Sequence, residues 1–213
     1  TSPGDTSIHY SIFECFLSLE MYDPALEYLD MCWVIEGDTD EILSKQAYSF
    51  MMKEEYKKAM KIVDSGLLNS PESADLIMIK GEIELRTEKY DKAEFSFLSI
   101  YHPNEENFQL LDKLAIIQIK KEDYRQAIYY TEKMLALEPD NSAVKQRLVL
   151  IYFEMDAKER FNEMLEQLTD KELSELFELI YTPQSNSYFS REMFLSYLNK
   201  AREARILFKN LKY

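Results

Sequence analysis

A tyrosine followed three positions later by an alanine recurs along this chain at a constant interval of 34 residues. Each interval also holds two short stretches with apolar residues at helical spacing, separated by a few polar residues. A fixed period of this length is typical of proteins built from stacked helix pairs, in which each pair buries its apolar face against its neighbours. The tyrosines are Tyr22, Tyr56, Tyr90 and Tyr124, and the alanines are Ala25, Ala59, Ala93 and Ala127.

The interval from residue 108 to residue 141 shows the pattern most completely. Leu114 and Ala115 lie on its first predicted helix, Tyr124 and Ala127 on the second, and Pro139 follows. These residues resemble the tetratricopeptide repeat family, whose 34-residue helix-turn-helix unit has Leu-Gly, Tyr, Ala, an aromatic residue and Pro at fixed positions. The resemblance implies an all-α fold, a right-handed α-solenoid of antiparallel helix pairs with four clear repeats, a divergent fifth and C-terminal capping helices.

The repeat register divides the chain into segments. Residues 1–5 are predicted to be a disordered or vector-derived terminus, and the four repeats span residues 6–39, 40–73, 74–107 and 108–141. Residues 142–168 form the divergent fifth repeat, because Lys158 and Phe161 stand where the tyrosine and the alanine would be. Residues 169–213 are predicted C-terminal helices. Thr169 and Glu172 have the spacing of a capping box, and residues 191–213 form a basic amphipathic helix.

Three local features lead to expectations about packing. Asp23 is expected to cap a helix that starts at Pro24. Phe13 stands where the family has Gly or Ala, which predicts looser or rearranged packing in the first repeat. Gly81 is expected to let the second helix of its repeat come close at Ala93.

The two cysteines and the start of the chain bear on its compartment. Cys15 and Cys32 are both expected at helix-packing positions, as buried reduced thiols. A disulfide between them would require an oxidising compartment. The chain begins at Thr1 without a methionine or a signal-peptide pattern, which is typical of an excised fragment or a processed protein. We slightly favour a cytoplasmic location over a periplasmic or secreted one.

Composition and motifs argue against several function classes. The net charge of −14 would repel a phosphate backbone, which argues against nucleic acid as a partner. The sequence has no apolar run near the ~20 residues of a membrane span and no cofactor or metal motif. His9 and His102 lack the spacing of a catalytic or metal-ligating pair. We therefore predict no catalytic residues, no cofactor and no enzymatic activity.

The family resemblance also implies where a ligand would bind. In tetratricopeptide proteins the first helix of each repeat lines a concave groove, and the register transfers that role to apolar residues interrupted by acidic ones. The alternative is that these side chains pack against neighbouring helices or against the C-terminal helix. The predicted groove residues are Tyr10, Glu14, Tyr48, Met51, Met52, Met78, Glu82, Leu85, Arg86, Asp112, Ile116, Ile119, Leu150 and Phe153.

The predicted function follows from this groove. We expect a protein-interaction scaffold, chaperone or adaptor that binds a peptide or helical segment with apolar anchors and basic character. The basic clamp of co-chaperones for acidic tails is not expected, because Tyr10, Glu14, Asp75 and Ile79 occupy its positions. The alternative is a structural subunit that uses terminal or outer surfaces. The basic C-terminal helix would then pack in cis or mediate self-association. An enzyme is the third alternative.

Overall fold

The computed structural model describes residues 6–102, 107–181 and 199, with the side chains of residues 177–181 excluded. All of its described secondary structure elements are α-helices, which confirms the all-α fold. The predicted terminus 1–5 and, apart from residue 199, the predicted basic helix 191–213 lie outside the described residues. The chain divides into two compact units, Thr1–Glu105 and Glu106–Tyr213.

Within each unit the helices follow one another as sequential antiparallel partners. The first unit contains α1 (Ser7–Ser18), α2 (Tyr22–Glu36), α3 (Asp40–Met52), α4 (Tyr56–Asn69), α5 (Ala74–Arg86) and α6 (Tyr90–Ser99). The second unit contains α7 (Phe108–Lys120), α8 (Tyr124–Leu137), α9 (Ser142–Glu154), α10 (Lys158–Gln167) and α11 (Asp170–Tyr181). The main helix contacts are between α1 and α2, α3 and α4, α5 and α6, and α7 and α8.

A turn of constant geometry joins the two helices of every pair. Its central residue has a left-handed backbone, with φ between 51° and 62°. The amide of that residue and the next amide donate back to carbonyls of the first helix at 2.8–3.1 Å, which is the Schellman arrangement. The following residue is the N-cap of the second helix, so the constant turn keeps the helix pairs in register. The left-handed residues are Glu20, Glu54, Glu88, Glu122 and Asp156.

The repeated tyrosines and alanines occupy equivalent places in the four pairs. Each tyrosine is the first residue of a second helix, and each alanine is fully buried one turn later. Phe13 is also fully buried and packs with Leu29, Cys32 and Ile42. Packing around Phe13 is therefore not loose, and rearranged packing remains the expectation for the first repeat.

Two glycines mark the close approaches between helices of the first unit. A methyl group at Gly81 would lie 2.6 Å from Cε1 of Phe97, so the glycine accommodates that ring and not Ala93 as expected. Gly66 has a similar role, since a methyl group there would lie 2.6 Å from Cδ1 of Leu76. Both glycines are buried, and at both positions the neighbouring helix leaves no room for a side chain.

Helix starts show where local sequence signals are used. Asn107, Asp123 and Asn141 each cap a helix by accepting an amide hydrogen bond from the residue three positions later. Asp23 does not cap, because the turn at Glu20 makes Met21 the N-cap of α2. The expected cap at Asp23 is therefore wrong. Its carboxylate instead lies in the first turn of α2 and pairs with Lys53.

Candidate protein-binding surface

The predicted groove residues all lie on the first helices of the pairs, and each unit contributes its own set. Those of the first unit lie on α1, α3 and α5: Tyr10, Glu14, Tyr48, Met51, Met52, Met78, Glu82, Leu85 and Arg86. Those of the second unit lie on α7 and α9: Asp112, Ile116, Ile119, Leu150 and Phe153.

In the first unit, α3 and α5 present a partly exposed apolar surface. Tyr48 is 38% exposed, and Met52, Met78 and Leu85 are half-buried. Arg86 joins the two helices, because its Nη2 lies 3.9 Å from Sδ of Met52. We call these five residues the α3–α5 surface. Arg86 therefore marks one edge of the apolar patch and does not cover the patch itself.

Met51 is a correction to the predicted lining. Its side chain is only 2% exposed and packs in the core between α3, α4 and α5. Successive helical residues point about 100° apart, and on α3 this rotation turns Met51 into the core while its neighbour Met52 stays at the surface. Sequence register placed both on the groove, whereas only Met52 remains partly accessible.

Tyr10, on α1, is held by bonds within the chain. Its hydroxyl donates to Oε2 of Glu36 at 2.8 Å. Burial raises the pKa of Tyr10, and the hydrogen bond to Glu36 adds to this effect. The hydrogen bonds donated by Thr6 and then by Tyr10 lower the pKa of Glu36. The hydroxyl that the sequence suggested for ligand binding therefore stabilises the packing of α1 on the end of α2.

The acidic groove residues each have a cationic partner. Glu14 pairs with Lys45, whose ammonium group also lies 5.3 Å from the ring centre of Phe13. Glu82 Oε1 accepts from Nε of Arg86 at 3.0 Å, one helical turn along α5. These pairs reduce the local negative charge of the surface. Lys45 lies in the second repeat and Glu14 in the first, a match across helices that sequence spacing alone did not reveal.

The second unit repeats this arrangement with different residues. Oδ1 of Asp112 lies 2.7 Å from Nη2 of Arg147, and Nη1 of the same arginine lies 3.8 Å from Sδ of Met134. Ile116 and Ile119 are half-buried beside this pair on α7. The surface formed there is apolar with one neutralised carboxylate.

Leu150 and Phe153 are packed against the core more closely than residues that only line a groove would be. Both pack against the core cluster of α9, α10 and α11. The ring centres of Phe153 and Phe161 are 5.8 Å apart. These two residues therefore have a packing role, which is the alternative that the sequence left open.

The exposed end of α2 contains apolar residues that the sequence analysis did not single out. Val34 is 76% exposed, and Met31 and Ile35 are exposed beside it. Trp33 is also exposed, and its Nε1 donates to Oδ1 of Asp38 at 2.6 Å. The sequence is apolar throughout this stretch, and only the burial of each position separates the exposed face of the helix from the packed one.

The two cysteines differ in their surroundings. Both are free thiols, with Cys32 buried and Cys15 exposed on α1. The expectation that Cys15 is buried is therefore wrong, because its position on α1 faces away from α2 and α3. Burial raises the pKa of Cys32, and the nearby charges of Glu36 and Glu41 raise it further.

Within residues 6–102 and 107–181, no three His, Cys, Asp or Glu side chains gather where they could hold a metal ion. Among the same residues, the helices are all too short or too polar to cross a membrane.

Comparisons with known proteins identify the fold. Residues 118–176 match the sequence profile of the tetratricopeptide repeat. MamA from Desulfovibrio magneticus RS-1, in a form starting at residue 41, aligns with a TM-score of 0.63 at 18% identity, covering 84% of this chain and 97% of MamA. PilF from Pseudomonas aeruginosa aligns with a TM-score of 0.64 at 14% identity, covering 78% of this chain and 76% of PilF. No curated protein matches the chain by sequence. At these identities the structural likeness establishes the fold alone.

Proposed function

This chain belongs to the tetratricopeptide repeat family, and we propose that it is a non-enzymatic scaffold or adaptor that binds a segment of another protein on its first helices. The observation that carries this proposal is the α3–α5 surface. Tyr48, Met52 and Met78 remain partly exposed beside a fully formed core, so their accessible area is not needed for packing. Flexible thioethers and a rigid aromatic ring suit a surface that accepts varied apolar side chains.

The partner that fits this surface has apolar anchors and basic character. The carboxylates of Glu14 and Glu82 are already paired, so a cation on the partner gains little from them locally. The net charge of −14 nevertheless attracts a basic segment over distances of about a Debye length. We therefore assign the affinity mainly to apolar contacts and the association rate mainly to charge.

A defined peptide can test this surface. The probe is a synthetic amphipathic helix with Leu and Phe on one face and Lys on the other, titrated by calorimetry. We expect Tyr48→Ala and Met78→Glu each to weaken binding about tenfold, because each removes an apolar contact from the surface. The matched control is Leu68→Ala, which truncates an 83% exposed apolar side chain on α4.

Circular dichroism should show unchanged helicity in all three variants. Equal affinities for the wild type and both surface variants would contradict the assignment. Raising the salt concentration should slow association more than it speeds dissociation, because long-range attraction acts mainly before contact. An association rate that does not depend on salt would contradict the proposed role of charge.

A structural role is a second candidate, and the exposed apolar end of α2 favours it. Val34, Met31 and Ile35 form one apolar strip on a single helix, which is a typical feature of an assembly surface. Sedimentation velocity separates the two roles. If α2 holds an assembly, Val34→Glu dissociates it, while Leu19→Glu, an equally exposed apolar position at the end of α1, leaves it intact. A monomer in the wild type at micromolar concentration would remove this candidate.

A further inference from the structure

The second helices of the first unit form a groove lined by lysines. Two adjoining cavities of about 850 Å³ and 540 Å³ lie along α4, the end of α5 and α6, and they share Met60, Asp64 and Lys89. We call their joint surface the lysine groove. Six lysines line it: Lys57, Lys58, Lys61, Lys80, Lys89 and Lys92.

These lysines differ from the other cations of the first unit in their pairing. Lys45 and Arg86 on the first helices, and Lys53 directly after α3, each form an ion pair with a carboxylate. In the lysine groove, Lys58 pairs with Glu55. The other five lysines have no ion-pair partner among the described residues. In a chain with a net charge of −14, unpaired cations are thus gathered on one surface.

The carboxylates of the groove cancel this charge only in part, since six lysines face Glu54, Glu55, Asp64, Glu84 and Asp91. Glu84 is buried and accepts a hydrogen bond from the Ser96 hydroxyl at 2.7 Å. Glu55 is already shared between Lys53 and Lys58. Glu54 and Asp64 remain at the groove without an ion pair among the described residues, and they are outnumbered by the unpaired lysines. Counted over all six lysines and five carboxylates, the groove has an excess of one positive charge, and the five lysines without an ion pair are the groups that an approaching anion can contact.

The groove also has an apolar component. Tyr56 and Met60 are half-buried in its wall, and Ile83 contributes to its floor. Phe95 borders the groove on α6 with 77% of its surface exposed. An exposed aromatic ring next to unpaired cations can contact an apolar side chain and an acidic one at the same time.

We propose that the lysine groove binds an acidic segment of a partner protein, with an apolar side chain of that segment packed against Phe95. A protein is favoured over nucleic acid because a short segment can place a few acidic side chains beside the unpaired lysines only. A continuous phosphate backbone would also pass Glu54 and Asp64 and would be repelled more strongly by the net charge of the chain. This surface selects the opposite charge from the α3–α5 surface, so one scaffold holds two chemically different partners. The proposal does not depend on the α3–α5 surface, because the two are built from different residues.

The test uses the full chain and three synthetic peptides in calorimetric titrations. One peptide has Asp and Glu around a central Leu-Phe anchor, the second replaces the anchor with Ser, and the third replaces the acids with Lys. We expect the first peptide to bind at least about fivefold more tightly than the second. The third peptide has the chemistry expected for the α3–α5 surface, so its affinity should be the same in the wild type and in Lys57→Gln/Lys61→Gln. A single-stranded oligonucleotide is the fourth probe, and binding as tight as that of the first peptide would overturn the proposal.

Charge variants locate the binding. We expect Lys57→Gln/Lys61→Gln to weaken binding of the first peptide about fivefold. The matched control is Lys120→Gln/Arg125→Gln, which removes two exposed, unpaired cations of the second unit among the described residues. Both variants change the net charge equally, so equal losses of affinity would overturn the proposal.

Apolar variants locate the anchor. Phe95→Ser should reduce the preference for the first peptide over its Ser analogue, while Leu68→Ser, an equally exposed residue outside the groove, should retain it. An unchanged preference in Phe95→Ser would overturn the assigned contact. Sedimentation velocity is run in parallel. A dimer that Lys57→Gln/Lys61→Gln dissociates would overturn the proposal in favour of a second copy of this chain.

Discussion

The ring of Phe97 occupies the space into which a side chain at Gly81 would extend. A methyl group at position 81 would lie 2.6, 2.8 and 2.9 Å from three carbons of that ring. These separations are far below van der Waals contact, and Phe97 is fully buried, so the ring has no free volume into which to move. Gly81 therefore sets how closely α5 and α6 approach.

Gly81→Ala should lower the free energy of unfolding. We expect a loss of about 1–3 kcal/mol from overpacking, although alanine favours a helix over glycine by about 1 kcal/mol. Urea denaturation measures this difference. Gly66→Ala is the comparison, because its nearest contact is the terminal methyl of Leu76, which can rotate away more easily than a ring. A Gly81→Ala variant as stable as the wild type would show that the helices can separate.

The left-handed turn residues lead to a second prediction. Glu122 has a φ of 60°, where a β-branched side chain is strained and asparagine is well tolerated. Glu122→Val should therefore be less stable than Glu122→Asn by about 1–2 kcal/mol. Both variants remove the same charge, so the comparison isolates the backbone. Equal thermal unfolding midpoints would contradict the turn geometry.

The fold could be predicted because its signal is periodic and local. Each turn uses the same backbone geometry, so the tyrosine after it and the alanine one turn later recur at a constant interval. The register also placed Met52, Met78 and Leu85 correctly on first helices, since helix position follows from spacing. The capping box at Thr169 and Glu172 is confirmed for the same reason.

Features that depend on contacts with a neighbouring helix could not be predicted from the sequence. Met51 and Cys15 were assigned to the wrong environments, because a shift of one residue rotates a side chain by about 100°. The contact of Gly81 with Phe97 and the pairing of Lys45 with Glu14 join residues on different helices. The lysine groove was missed because its lysines appear in sequence as ordinary solvated charges, and only their lack of partners distinguishes them.

The two thiols should react at different rates. Cys15 is exposed, so a disulfide reagent should modify it in the native state. Cys32 is fully buried and burial raises its pKa, so it should react only when the first unit opens. Absorbance of the released reagent should show one fast thiol and one slow thiol. The Cys15→Ser variant should lose the fast phase only, and two thiols reacting at one rate would contradict the burial of Cys32.

The capping box at the start of α11 gives a pH dependence with a defined sign. Oε2 of Glu172 accepts from the Thr169 amide at 2.7 Å and from the Thr169 hydroxyl at 2.8 Å, while the Glu172 amide donates back to that hydroxyl at 3.2 Å. The hydrogen bond from the Thr169 amide is the main reason why the pKa of Glu172 lies below its usual 4.5, and Lys145 adds to it.

Because the pKa of Glu172 is lower in the folded state, its carboxylate stabilises the fold above pH 4.5 and loses this contribution as the pH falls through the folded pKa. Glu172→Gln keeps a capping oxygen but does not titrate. We expect the wild type to lose about 1 kcal/mol relative to Glu172→Gln between about pH 5 and about pH 3, measured by urea denaturation. Glu159→Gln, an exposed carboxylate on α10, controls for the loss of one charge. Parallel pH profiles for the wild type and Glu172→Gln would show that the ionised cap adds nothing to stability.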